Sequence, residues 1–522
     1  MSSKTIFSLF SNAVAGGSER PFLWVDGNVI TYGEADDRVN QYTAMLHDRG
    51  IRDDDRVCVL SRNCPEFVYL LLATAKLGAT FVPLDYRQEG EVLKYLLKDA
   101  SPSMVVIGGR GMESFQSVAD AVEIDDILYH DIDRETTSGL LRDAVGSADP
   151  SPEVGSDSDP TDVAIINYTS GSTGPPKGVK NPHQAFVEAG TRIADRCGTD
   201  DEDRGLVVLP LFHANPQTYA LMHMLSSGGS LALTDRFSAS EFWQTARESG
   251  STFFTHVGSV LEILYRKIKE DTVDTETPLE FTLGGAAQFD EQATFELETG
   301  IQIIRLYGLS EMGAGVVTMN RRTDGVHGAK HQGPISEQPF GVRIVDSSGT
   351  DWADPGERGE IVIRPAQPGI MFQGYLGKHQ ETVDAWQDLW MHTGDLGFIQ
   401  DGNLHYVGRM KTSIRKNGEN VSPWEIETVV ASFSAVEEAV AVGVPDPVAG
   451  EEIKLFVVLS DESVSEREVY EQCETELPAR LVPRYVETIA ELPRTSTQKV
   501  ERVALTNRDR NEEWDSKGER DE

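Results

Sequence analysis

Residues Tyr168 to Val179 read Tyr-Thr-Ser-Gly-Ser-Thr-Gly-Pro-Pro-Lys-Gly-Val and follow the apolar run Val163-Ala164-Ile165-Ile166. The run predicts a buried strand, and the chain leaves its end as a ribbon of hydroxyls, glycines and one lysine. Glycine permits a concave backbone that side chains would block, so such a ribbon can turn N–H groups, O–H groups and an ammonium toward a polyphosphate. A solvated Gly/Ser turn would account for four or five of these residues but not for twelve in this order. The common P-loop spacing is not met, because it needs glycine at Pro176 and Ser or Thr at Gly178. A nucleotide loop at the end of a buried strand calls for an open α/β sheet around it.

The chain has 522 residues, more than one hydrophobic core usually serves, so two or more domains are expected. Acidic residues outnumber basic ones by 85 to 47, a formal charge of −38, and the excess is spread along the chain. Such a surface repels nucleic acid and anionic membranes, so a nucleotide pocket has to be a local positive exception. Dispersed acid also fits a protein kept soluble at high salt, where self-repulsion is screened, and a halophilic source is the expectation. Cys58, Cys64, Cys197 and Cys473 lack metal-type spacing and are too few for a disulfide framework, so they read as reduced residues. The apolar patch after Met1 is too broken for a signal peptide, and the run from Phe67 to Val82, interrupted by Lys76, is too short for an integral membrane span. A cytoplasmic location is expected.

From Arg20 to Pro160, helix-like segments such as Glu66 to Lys76 alternate with β-rich runs such as Ala79 to Leu84, the pattern of βαβ units. Ala148 to Asp162 reads as a polar surface loop. The runs Glu280 to Leu283 and Ile301 to Ile304 end in small or polar residues, where ligands of open α/β sheets bind. Glycine-punctuated β patterns from Gly341 to Arg364 suggest a small β-rich subdomain. Beyond Lys411 come helix patterns at Pro423 to Ser432 and Ser465 to Leu477, with β-rich runs at Ala439 to Val444 and Lys454 to Leu459. These predict a small α+β domain. The tail from Asn507 is charged and poor in apolar residues, and is expected to be disordered.

The nucleotide loop resembles the phosphate-binding signature of the adenylate-forming superfamily, which includes acyl-CoA synthetases, aryl-CoA ligases, peptide-synthetase adenylation domains and luciferases. Further motifs follow in that family's order: Gly284-Gly285-Ala286-Ala287, Tyr307-Gly308-Leu309-Ser310-Glu311, Trp390-Met391-His392-Thr393-Gly394-Asp395, Tyr406 to Glu427, and Leu492-Pro493-Arg494-Thr495-Ser496-Thr497-Gln498-Lys499. Leu209-Pro210-Leu211-Phe212-His213-Ala214-Asn215-Pro216-Gln217 looks most like carnitine/crotonobetaine-type CoA ligases, and the chain as a whole like these and fatty acyl-CoA ligases. The resemblance implies an α/β fold. A large N-terminal AMP-binding domain (1–408), built of βαβ-type sheets with a β-rich subdomain, is followed by a small mobile α+β lid domain (409–506) and the tail (507–522).

The resemblance also implies roles. Thr169, Ser170, Gly171, Ser172, Thr173, Gly174 and Lys177 would hold the phosphates of ATP. Gly285, Ala286, Ala287 and Tyr307, with Gly308 and Ser310, would line the adenine site, while Glu311 would hold Mg²⁺. Ser310 stands where the family usually has Thr. Asp395 would accept hydrogen bonds from both ribose hydroxyls, a task suited to a carboxylate, with Arg409 beside it. His213, Gly285 and Gly313 would border the acyl pocket, Lys411 would be the hinge, Gly418 would meet coenzyme A, and Lys499 would be the catalytic lysine with Glu311, Thr173 and Lys177. Thr412 stands where Asp is frequent and Asn420 where some members carry arginine, which leaves one phosphate contact unassigned.

The implied reaction joins a small carboxylic acid to ATP as an acyl-adenylate, releasing pyrophosphate, and then passes the acyl group to coenzyme A with release of AMP. Cations set around the phosphates lower the energy of the first transition state. No Asp near His213 is available to pair an α-amino group, which disfavours amino acids. The alternatives are an aryl-CoA ligase of coumarate or benzoate type, an acyl-AMP ligase loading a carrier protein, and a non-catalytic nucleotide-binding regulator. A homodimer is left open.

Overall fold

A computed structural model describes residues 4–131, 139–148, 158–169, 175–270, 273–285, 291–313, 315–320, 331–336, 339–346, 351–409, 414–417, 419–421, 423–460, 463–493, 500, 502–506, 508, 513–516 and 518. The first sheet carries, in spatial order, Ile127–His130, Met104–Gly108, Arg56–Leu60, Thr80–Leu84 and Val163–Thr169, all parallel, with Lys177–Pro182 antiparallel at its edge. The parallel strands are apolar almost throughout, as strands covered on both faces must be. Residues Arg56–Leu60 and Met104–Gly108 read Arg-Val-Cys-Val-Leu and Met-Val-Val-Ile-Gly. The second sheet has eight strands, with Gln302–Leu309, Phe281–Gly285, Phe253–Val257, Arg204–Val207, Ser230–Leu233 and Pro21–Val25 parallel between two antiparallel edges.

The apolar run considered for a membrane span is instead the helix Pro65–Leu77 followed by the strand Thr80–Leu84. Proline stands in the first helical turn and Gly78 takes a left-handed φ of +83°, which start and stop the helix. One apolar cluster joins this helix to side chains from both sheets, including Phe81 and Ile165 of the first and Phe253 and Leu283 of the second. Among the described residues no helix is long and apolar enough to cross a membrane.

The third sheet is antiparallel: Phe340–Val345, Gly359–Pro365, Trp390–Gln400 and Asn403–Arg409, with Trp386–Gln387 at an edge. Its core includes Ile361, Tyr375, Met391 and Leu404 together with Val179 of the first sheet and Tyr307 of the second. The three sheets therefore meet at one place.

The C-terminal unit is a further sheet in which Val436–Asp446 and Gly450–Leu459 form a long antiparallel pair and Tyr485–Thr488 joins in parallel. Helix Glu466–Glu476 begins with a capping box between Ser465 and Glu468. Within the tail expected to be disordered, the described pair Trp514–Asp515 joins Tyr485–Val486, and Asp515 accepts from Arg484. Lys454, 1 % exposed, draws Glu487 to 2.7 Å and also meets Glu513, so a buried cation accounts for why this acidic segment docks.

Candidate active site

The segment singled out as a nucleotide loop is flanked by two paired strands. Val163–Thr169 pairs antiparallel with Lys177–Pro182 and Thr169 stands opposite Lys177, while Ser170, Gly171, Ser172, Thr173 and Gly174 lie outside the described residues. The stem is anchored from below: Tyr168 donates to Asp99 Oδ2 (2.8 Å) and Tyr95 donates to the Pro176 carbonyl (3.0 Å). Burial first, then the Asp99 charge, pushes the Tyr168 phenol up, so it remains a neutral donor.

Lys177 Nζ lies 4.7 Å from the centre of the Tyr375 ring, and the Tyr375 hydroxyl donates to Glu311 Oε1 at 2.9 Å. Burial and the neighbouring Glu311 raise the Tyr375 phenol, which keeps its proton for this bond. Glu311 sits in the single 3₁₀ turn Ser310–Met312 directly after the strand Gln302–Leu309, and its carbonyl accepts from the Phe372 N–H at 2.8 Å. Nothing in the sequence singles out Tyr375. It stands in Met371-Phe372-Gln373-Gly374-Tyr375, a stretch with no charge to draw notice.

Near the end of the same strand, Tyr307 is 6 % exposed, and its hydroxyl donates to Asp395 Oδ2 at 2.7 Å. Burial, with Asp395 next, holds that phenol far above its usual range. Asp395 is not in a free turn: it lies within the long strand Trp390–Gln400, opposite Arg409 in register, after Gly394 at φ +70°. The side chain of Arg409 is not among those described, and Lys411, Gly418 and Lys499 lie outside the described residues. Gly308 has a steric reason, since a Cβ there would come within 2.4 Å of the Gly315 carbonyl and 2.8 Å of the Tyr219 hydroxyl.

His213 is exposed, its ring 4.5 Å from that of Phe212, just ahead of a helical stretch whose middle, Gln217–Met222, is π-helical. Such irregular turns recur at functional sites. Buried Gln217 donates to the Leu211 carbonyl (2.7 Å) and accepts from Asn167 Nδ2 (3.2 Å), which ties the His213 segment to the strand that feeds the nucleotide loop. Asn215 donates to the His256 carbonyl at 3.3 Å. His256 pairs with Gly284 across the sheet, and burial, then Arg305, lowers its imidazole to about 3, so it stays neutral. Gly285 ends that neighbouring strand with nothing within 4 Å of where a Cβ would stand, whereas Ala286 and Ala287 lie outside the described residues. Gly313 is held by Asn181, which accepts from its N–H (3.1 Å), and by Thr218, which donates to its carbonyl (3.2 Å). Asn167 and Asn181 carry no motif of their own, and the bonds from Asn167 to Gln217 and from Gly313 to Asn181 span 50 and 132 residues.

Lys177, Tyr375, Glu311, Tyr307 and Asp395 are thus brought together from three sheets: Lys177 begins the edge strand of the first, Tyr307 and Glu311 stand at the carboxyl end of one strand of the second, and Asp395 lies in a strand of the third. The Lys177 ammonium stands at one end of this group and the Asp395 carboxylate at the other. Fold and site together define an adenylate-forming enzyme. Residues 10–376 match the AMP-binding enzyme model and residues 425–499 match the AMP-binding enzyme C-terminal domain, and the chain belongs to this family. It is 30 % identical over 478 residues to a feruloyl-CoA synthase of Amycolatopsis sp, covering 91 % of this chain and 93 % of the relative. It is 28 % identical over 494 residues to a crotonobetaine/carnitine–CoA ligase of Shigella sonnei, with 92 % and 93 % covered. Among solved structures, a Mycobacterium tuberculosis fatty acyl CoA synthetase superposes with a TM-score of 0.68 at 26 % identity, covering 96 % of this chain and 98 % of that one. The reaction class is that of the AMP-forming acid–thiol ligases.

Proposed function

We propose that this ATP-dependent acyl-CoA synthetase activates a carboxylic acid without an α-amino group. The observation that carries the reading is the strip from Lys177 through Tyr375 and Glu311 to Tyr307 and Asp395, which joins three separate sequence motifs by direct contacts. The segment after His213 presents Asn215 and Gln217 rather than an acid, so nothing there would pair an ammonium.

In the proposed assignment Thr169, Ser170, Ser172, Thr173 and Lys177 hold the β and γ phosphates, and Asp395 and Arg409 take the ribose. Gly285, Ala286, Ala287 and Tyr307 border adenine, while Lys499 orients the carboxylate against the α-phosphate. Glu311 suits Mg²⁺, because a carboxylate with one oxygen already held by a phenol is a fixed hard ligand. A single protein carboxylate plus phosphate oxygens is a usual Mg²⁺ shell. When bound, the ion would neutralise phosphate charge. Rotation about Lys411 would withdraw Lys499 and bring Gly418 to the pantetheine arm. The four cysteines, all buried and none in a disulfide, support a reducing compartment, the cytoplasm.

An aryl acid is the second reading, favoured by the open space at Gly285 and by the feruloyl-CoA synthase relative. The test is pyrophosphate release from a panel containing a hydroxycinnamate, crotonobetaine, carnitine, octanoate and a set of amino acids, with and without coenzyme A. Release with a non-amino acid, followed by AMP only when coenzyme A is present, supports the proposal. Release with an amino acid alone, or AMP release independent of coenzyme A, overturns it.

A further inference from the structure

The first sheet carries a second cluster that the ligase reaction does not use. Cys64 caps the helix Pro65–Leu77 without a side-chain capping bond, Glu66 follows in its first turn, and His130 ends the strand Ile127–His130. One donor atom from each of these three side chains lies within 4.8 Å of the other two. Cys64 and His130 are each 7 % exposed and Glu66 is half-buried. Buried polar atoms nearly always have partners, yet His130 Nε2 has none among the described residues.

The space around that nitrogen is kept by the intervening strand. Gly108 ends Met104–Gly108, between the strands that lead to Cys64 and to His130, and a Cβ there would lie 3.1 Å from both His130 Nε2 and Ser61 Oγ. Ser61 Oγ is in turn 3.5 Å from Cys64 Sγ. A thiol sharing its proton with the Glu66 carboxylate would account for two members of the cluster and leave the imidazole nitrogen without a role.

We infer that Cys64, Glu66 and His130 form a binding site for one divalent first-row cation of zinc type, with a fourth position open to water or Ser61. Thiolate, imidazole and carboxylate are the zinc donors, and three protein ligands with one open position are a common zinc arrangement. Ligand bonds of about 2.0 to 2.3 Å imply a tetrahedral edge of roughly 3.5 Å, so the donors close inward by about 1 Å from the 4.8 Å envelope. The thiol proton leaves to solvent as the metal–sulfur bond forms. The site serves the ligase indirectly. Asn63, in the same loop as Cys64, donates to the carbonyls of Leu209 and Thr234 (both 3.0 Å) and accepts from the Leu211 N–H (2.7 Å), so a metal here braces the segment that carries His213.

The test strips the full chain with a chelator and titrates it with Co²⁺ alone. The expected result is one equivalent bound with a near-ultraviolet thiolate-to-cobalt charge-transfer absorption that Zn²⁺ displaces. Cys64→Ser abolishes that absorption and Cys473→Ala leaves it intact. Glu66→Gln, at a half-exposed position that leaves the fold undisturbed, weakens Co²⁺ at least tenfold with an unchanged circular dichroism spectrum. No charge-transfer absorption in the unsubstituted chain, its survival in Cys64→Ser, or an unchanged affinity in Glu66→Gln overturns the assignment. An oxygen-only site such as that around Glu311 would give no thiolate absorption.

Discussion

The hydroxyl of Tyr307 donates a 2.7 Å hydrogen bond to Asp395, across 88 residues of sequence, and the two side chains are only 6 % and 1 % exposed. The bond fixes where a buried carboxylate points before any nucleotide arrives. Tyr307→Phe removes it while keeping the ring, and leaving a buried acceptor short of a donor costs about 1–3 kcal/mol. Thermal denaturation should show that loss, and the KM for ATP should rise about tenfold with a smaller change in kcat. An unchanged KM would mean that Tyr307 does not position the proposed ribose-binding carboxylate.

At the proposed phosphate end, Tyr375 bridges Lys177 and Glu311. Glu311→Gln removes a charge from the proposed metal and phosphate site and should lower the rate of pyrophosphate release about a hundredfold, since one such electrostatic contact is worth about 3 kcal/mol. Tyr375→Phe should cost about tenfold and raise the Mg²⁺ concentration needed for half-maximal rate. If only stability moved, the bridge would be structural.

Lys499→Ala should abolish adenylate formation yet leave thioester formation from a supplied acyl-adenylate largely intact. Lys411→Pro should do the reverse, sparing pyrophosphate exchange and blocking the coenzyme A ester. Equal loss of both half-reactions in Lys411→Pro would refute the hinge.

The C-terminal unit meets the first sheet through charge. Arg480 lies 3.9 Å from Asp85 and 3.3 Å from Glu425, and Arg87 clasps Asp85 through bonds of 2.9 and 3.0 Å. Burial alone would raise Asp85, but the hydrogen bonds and charge of Arg87, with Arg480, hold its carboxyl below the usual 3.8. Its stabilisation is fully present above that value and is lost as pH falls through the depressed one. Glu425 is raised above 4.5 by burial, with Arg480 pulling it down and Asp85 pushing it up. Its contribution therefore grows as pH falls through the raised value. Docking of the two units, followed by limited proteolysis or small-angle scattering, should tighten on mild acidification and fail only in strong acid. Arg480→Met should leave two facing carboxyls and loosen docking at neutral pH; steady weakening from pH 7 to 5 in the unsubstituted chain would contradict this account.

A formal charge of −38 makes self-repulsion a standing cost that salt screens. The melting temperature and activity should rise as KCl is increased from about 0.1 M toward molar concentrations, where the Debye length falls to about 3 Å. Full folding and activity without added salt would remove the case for a halophilic source.

What could be read directly from the residues was local. The apolar run before Tyr168, the alternation of helix and strand patterns, the helix pattern from Ser465 to Leu477, and the glycine- and hydroxyl-rich loop each express their physics within a few positions, where backbone preference and side-chain period act. The acidic tail shows the limit of that reading, because its docking depends on buried Lys454, which belongs to a strand some sixty residues earlier. Tyr375 with Glu311, Gln217 with Asn167, and Asn63 with Leu211 are separated by 64, 50 and 148 residues. Tyrosine, glutamine and asparagine are each common in surface positions, and although Gln217 lies in a segment the sequence singles out, the identity of each partner is not written in its neighbours. Only the packing of the sheets against one another removed them from water, and a polar group taken out of water must find a partner wherever the fold supplies one.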